Sequence, residues 1–217
     1  MRRRSFRRAA ASTVVVAAAV LAADCYERTL TSYRIRQAYF LGKSTAAKRA
    51  EFLRQYFRSF PLPKRGPHVA RIEISTPFHQ VVQETRRAPD GYSPLRAKRD
   101  HRQRSARVVL RVRLELTPTY PAHSPHTIPA YGPIYLRDPD FWQAFTIRLV
   151  QRTEVAPVAV SGTHLYTYGA YGSSWLQGAI VTLEYDAAQV ASVPTRIEVF
   201  TPDGHRVEAR FDLAALR

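Results

Sequence analysis

The sequence predicts a mainly β fold, an antiparallel β-sandwich preceded by an N-terminal helical segment. Three observations carry that expectation. From Val69 onward apolar and polar residues alternate with a period of two, the mark of strands with one buried face. These runs are short and bounded by turn residues, with no helical crossover of useful length between them, which favours antiparallel pairing over parallel βαβ units. Before Val69 the apolar spacing is three and four, as in helices.

Taken in chain order, the first element is a leader over residues 1–23. Arg2, Arg3, Arg4, Arg7 and Arg8 precede an uncharged, Ala-rich run over residues 9–23. That run is shorter than the roughly 18 to 20 residues that span a bilayer core, so it is read as a signal peptide cut just before Asp24, with an uncleaved anchor as the alternative. Arg3-Arg4-Ser5-Phe6 resembles the twin-arginine export signature. Cys25, the one cysteine, stands where a lipoprotein's acylated cysteine would stand, but Asp24 occupies the position that a lipobox gives to a small residue. With a single thiol no intrachain disulfide forms, so the fold rests on its core.

Residues 24–62 are expected to be helical. Leu30, Tyr33, Gln37 and Leu41 fall on one face, Gly42 ends that helix, and Ser44 caps a second running through Ala46, Ala50, Leu53 and Phe57 until Pro61. Lys48, Arg49, Arg54 and Arg58 lie on or beside its other side, making it basic and amphipathic. The β-sandwich domain then covers residues 63–217. Ala70, Ile72 and Ile74 point one way in its first strand, and Val108, Leu110, Val112, Leu114 and Leu116 in the next. Further strands are expected at 144–152, 158–167 and 178–185, the last burying Ala179, Val181, Leu183 and Tyr185. Ile197 and Val199, the turn Pro202-Asp203-Gly204, then Val207, Ala209, Phe211 and Leu213 read as a closing hairpin.

In architecture this series of strands, over roughly residues 69–213, is similar to immunoglobulin-like domains. The Cys and Trp pattern of true immunoglobulin domains is absent, so the resemblance carries no functional residue across.

Two longer connections interrupt the strands. Residues 86–107 form a basic loop that includes Arg96, Lys98, Arg99 and Arg102, with room for a short helix after Pro94. Residues 117–140 are Pro-rich, with prolines at 118, 121, 125, 129 and 133 favouring an extended path. Charge is placed unevenly: residues 24–113 carry 21 basic and 7 acidic side chains, an excess of +14, and residues 114–217 carry 7 basic and 10 acidic, or −3. The chain has 29 Arg, 4 Lys and no Asn, a composition typical of a GC-rich genome, so arginine number by itself says little. The asymmetry nevertheless points to an interaction surface in the first part, with an anionic envelope polymer, anionic lipid or an acidic protein as partner. Export makes nucleic acid an unexpected partner.

Catalytic signals are sparse. His123 and His126 flank Ser124-Pro125, and Asp138 and Asp140 flank Pro139; these are zinc-ligand types, but their spacing fixes no third ligand, and surface histidines with turn-forming aspartates are the favoured reading over a metal site. Ser161-Gly162-Thr163-His164 brings hydroxyls near a histidine without the Gly-x-Ser-x-Gly elbow. The glycines at 169, 172 and 178 make no phosphate-cradling motif, and no cofactor is implied. Tyr168, Tyr171 and Trp175 form instead an aromatic contact loop suited to sugar rings or a protein partner, or to covering the end of the sandwich. The sequence therefore supports an exported, non-catalytic binding protein. Its alternatives are a peripheral or anchored membrane protein using the basic helices, and a hydrolase or metalloprotein using the 117–140 loop.

Overall fold

The computed structural model describes residues 26–122, 137–168 and 174–217. The leader, Cys25, His123, His126 and Tyr171 lie outside the described residues. The chain runs α1 (Ser32–Gly42), α2 (Ala46–Arg54), β1 (Phe57–Ser59), β2 (His68–Ser75), α3 (Pro77–Arg87), α4 (Pro94–Arg102) and β3 (Arg107–Glu115). A 3-10 turn (Phe141–Ala144) then leads to β4 (Thr146–Val150), β5 (Glu154–Val155), β6 (Ala159–Tyr168), β7 (Ser174–Asp186), β8 (Pro194–Phe200) and β9 (Arg206–Asp212).

The strands make two antiparallel sheets, one in the order β1-β2-β3-β7-β6 and one in the order β5-β4-β8-β9. Their inner faces share one core, to which the first sheet gives Ile72, Leu110, Val112 and Val181 and the second Leu149, Ile197, Val199 and Phe211. The period of two decides which residues these are. Val108, Leu110, Val112 and Leu114 are all buried, and β3 sets Leu110, Val112 and Leu114 directly opposite Leu183, Val181 and Ala179 of β7. The closing hairpin is present, with Ile197 opposite Ala209 and Val199 opposite Val207.

Four local expectations are corrected. The connection from β2 to β3, expected to be a basic loop over residues 86–107 with a short helix, carries two helices, α3 and α4; β2 and β3 pair antiparallel, so neither helix is a crossover between parallel strands. Thr76 caps α3 by accepting from the His79 N–H, Pro77 opens its first turn, and Phe78, Val81, Val82 and Thr85 bury one face of it. In β2 the register shifts between Val69 and Arg71, so Val69 takes the buried place expected of Ala70. The buried face of α1 is Ile35, Ala38 and Gly42, leaving Tyr33 exposed; Gly42 sits where a side chain would collide with the Val82 carbonyl and Thr85 of α3, so this face is fixed by close helix approach. The second helix ends at Arg54, well before Pro61, and its N-cap is Thr45 in place of Ser44. Phe57 opens a strand paired with β2, and its ring carries the Arg71 guanidinium 3.7 Å above its centroid.

The helices of the N-terminal segment and of the β2–β3 connection form one layer. Leu30, Ile35, Ala38, Phe78, Val81, Val82 and Ala97 build a second, smaller core among α1, α3 and α4, and Phe52 of α2 touches both cores. Among the described residues no helix is long and apolar enough to cross a membrane.

Candidate binding face of the helical layer

The predicted basic residues fall on α4, whose start is set by Ser93 accepting from the Arg96 N–H and by Pro94 in the first turn. Ala97 is the buried anchor of this helix. Leu95, Arg99 and Arg102, spaced by four and three, share the opposite side, and Arg96 and Lys98 flank them. On α1 the side opposite Ile35 and Ala38 holds Tyr33, Arg36 and Phe40, with the Arg36 guanidinium 5.6 Å from the Phe40 ring centroid. The two helices are joined where the Tyr39 hydroxyl donates to the Tyr92 carbonyl at 2.7 Å and the two rings stack, and the Arg96 guanidinium lies 5.9 Å from the Tyr92 ring centroid. Both outer faces turn away from the small core they share.

These cations have no carboxylate partner among the described residues, whereas most arginines of the sheets do. Among the described residues, Arg36, Arg96, Lys98, Arg99 and Arg102 make no ion pair. Most arginines of the sheets are neutralised across or along strands: Arg71 and Arg111 meet Glu73 at 3.2 and 3.6 Å, and Arg113 meets Glu115 at 2.7 Å. Arg206 meets Glu198 and Glu208 at 2.6 and 2.8 Å, and Arg210 meets Glu208 at 2.6 Å. The one acid of α4, Asp100, accepts from the Tyr92 hydroxyl at 2.9 Å. The excess of positive charge in the first part of the chain is thus concentrated on the helical layer, next to three exposed apolar side chains, Tyr33, Phe40 and Leu95.

The aromatic pair Tyr168 and Trp175 lies at the β6–β7 end, in adjacent rungs of the ladder, and both are exposed. It is a separate surface from α1 and α4. His164 is paired with Asp140 at 2.9 Å, and Asp140 also accepts from the Trp142 indole at 3.1 Å; these two bonds hold its carboxyl below the usual range. Asp138 accepts from the Asp140 N–H, a turn-forming role. Among the described residues no group of three His, Cys, Asp or Glu side chains is placed to hold a metal.

Sequence reasoning missed a buried Ser–His pair. Ser75 Oγ and His79 Nδ1 are hydrogen-bonded at 2.7 Å, Tyr56 stacks on the imidazole at 4.3 Å, and the Gln83 carboxamide lies 3.3 Å from Nε2. Burial, then the charges of Arg111, Arg71 and Arg87, push the His79 pKa down to about 3, so the ring is neutral at ordinary pH. Both residues are almost fully enclosed, and Ser75 does not line the cleft of about 430 Å³ that borders His79, so the pair ties α3 to β2 and is not a nucleophile poised for a substrate. The four-residue spacing from Ser75 to His79 across the Thr76 cap was the available signal. Comparison with family models, curated proteins and solved structures finds no match for this chain.

Proposed function

We propose that this chain is an exported, non-catalytic binding protein that attaches to an anionic lipid surface of the envelope through the outer faces of α1 and α4. The observation that carries the reading is the set of unpaired cations Arg36, Arg96, Lys98, Arg99 and Arg102 around exposed Tyr33, Phe40 and Leu95. Cations alone suit any polyanion. Apolar side chains between them favour a bilayer interface, which takes charge at the headgroups and rings or aliphatic chains at the acyl boundary.

Cosedimentation with vesicles of phosphatidylglycerol and phosphatidylcholine tests it. Binding is expected to require phosphatidylglycerol and to weaken steeply between 0.1 and 1 M salt, over which the Debye length falls from about 10 to 3 Å. Replacing Arg96, Lys98, Arg99 and Arg102 together by Gln removes about 1 kcal/mol per cation at an anionic surface, or two to three orders of magnitude in affinity. Replacing Arg206 and Arg210 should change little, because their charge is already matched by Glu198 and Glu208. Replacing Tyr33, Phe40 and Leu95 by Ser should weaken vesicle binding while keeping its salt slope. Retained affinity in that triple variant assigns the face to a soluble polymer or acidic protein; equal losses in the two arginine variants, or no binding at low salt, reject the face.

Export is tested separately. The mature protein is expected to begin at Ala23 or Asp24 and to lie outside the cytoplasmic membrane, and N-terminal sequencing that finds Met1 on a cytoplasmic protein refutes it. Arg3→Lys with Arg4→Lys blocks export if the twin-arginine route is used.

A further inference from the structure

A second, unrelated feature lies where the two sheets meet at one end. The β1–β2 connection and the start of β2 face the β8–β9 turn across a pocket of about 400 Å³, within the range of small-ligand sites. Phe60, Pro61, Pro63, Pro67, Val69 and Val207 give it an apolar lining. The polar groups inside are already engaged. His68 is held by Glu115 at 3.3 Å and by the Phe60 carbonyl at 3.0 Å, and the Thr201 hydroxyl bonds Asp203 and the His205 backbone. What remains uncommitted is at the mouth: Lys64 and Arg65, both exposed, make no hydrogen bond or ion pair among the described residues.

The wall is built ahead of any ligand. Three prolines fix their own backbone angles, and Gly66, at a φ of +83°, is pinned from both sides, its N–H donating to Thr119 Oγ1 at 3.0 Å and its carbonyl accepting from the Thr117 hydroxyl at 2.7 Å. A side chain at 66 would run into the Asp203 carboxylate, so the glycine is what lets this connection press against the β8–β9 turn. Such a connection spends little ordering entropy on binding.

We propose that this pocket binds an amphiphilic monocarboxylate, its aliphatic body against the proline and valine lining and its carboxylate between Lys64 and Arg65. A saturated interior and a cationic rim select for one anionic end on an apolar body and against a sugar or a nucleotide, whose many polar groups would find no partners inside.

Calorimetric titration with octanoate, hexanoate, octanol and acetate tests it. Octanoate is expected to bind one site saturably, hexanoate about tenfold more weakly for the loss of two methylenes, and acetate not measurably. Lys64→Ala with Arg65→Ala, at exposed positions that leave the core intact, should weaken octanoate several-fold and leave octanol unchanged. Val207→Phe, which narrows the pocket, should weaken both in protein shown by its melting curve to be folded. The α4 quadruple variant should bind octanoate like the wild type, which separates this site from the lipid-binding face. Absence of saturable octanoate binding, equal effects of the rim variant on octanoate and octanol, or loss in the α4 variant would overturn the proposal.

Discussion

Acidification from pH 6.5 to pH 5 is expected to cost stability at a slope set largely by His79. Its folded pKa is pushed down to about 3, first by burial and then by Arg111, Arg71 and Arg87, whereas an unfolded histidine titrates near 6.5. A base whose folded pKa is depressed contributes its full stability above the unfolded value. As pH falls through 6.5 the unfolded chain takes up a proton that the folded chain refuses, and stability falls until the folded pKa is reached. The limiting slope is about 1.4 kcal/mol per pH unit for one such group. His101, also lowered by burial and by Arg104, acts in the same sense, while Asp140 and Glu208, whose pKa values are lowered by hydrogen bonds, lose their contribution only at lower pH. Urea denaturation of wild type and of His79→Gln at pH 7, 6, 5.5 and 5 isolates the group. The variant is expected to be less stable at pH 7, having lost the Ser75 bond and the Tyr56 stack, and to show a clearly flatter pH profile. Parallel profiles would mean that His79 takes up its proton in the fold as readily as in the unfolded chain.

The strands were readable because each has one face on the core, which leaves a period of two in the sequence however the sheets are connected. Residues 108–116 and 179–185 show it directly, and their pairing in register is the consequence. Helix α3 carried its own signals in Thr76, Pro77 and the spacing of Phe78, Val81 and Val82, but the alternation through Ile72 and Ile74 runs straight into it and masks the change of period. The face of α1 was ambiguous for a different reason. Apolar side chains stand on both sides of it, and only the docking of α3 against Gly42 decides that Ile35 turns inward and Tyr33 and Phe40 outward.

The candidate sites divide in the same way. The positive charge of Arg96, Lys98, Arg99 and Arg102 is local and visible in the chain. Which arginines keep their charge unmatched is not local, because the carboxylates that neutralise Arg111 and Arg206 come from a neighbouring strand: Glu73 on β2 and Glu198 on β8. The pocket near Lys64 needs residues 60–69 and 201–207 together, and the bonds that shape it reach Thr117 and Thr119, more than fifty residues from Gly66. No spacing rule connects segments so far apart.

Phe211→Ala is expected to destabilise the protein by about 3–5 kcal/mol, the usual cost of deleting a buried aromatic ring and leaving a cavity. Phe211 is 2 % exposed in β9, opposite Thr195 of β8, and joins the core shared by the two sheets. Against a total stability of about 5–15 kcal/mol for a domain, such a loss brings the variant close to unfolding at ambient temperature. Its neighbour Arg210 points to solvent on the other side of the strand, so Arg210→Ala should stay within about 0.5 kcal/mol of wild type, and the contrast between adjacent positions tests the strand face as well as the burial. Arg58 lies over the ring, its guanidinium carbon 4.7 Å from the centroid, and Arg58→Ala should cost about 0.5–1 kcal/mol, the value of an exposed cation–π contact. Urea midpoints for the three variants, at matched slopes, measure all of this. If Phe211→Ala melted like wild type, the closing hairpin would not contribute its inner face to the core. If Arg210→Ala cost as much as Phe211→Ala, the strand would be turned over.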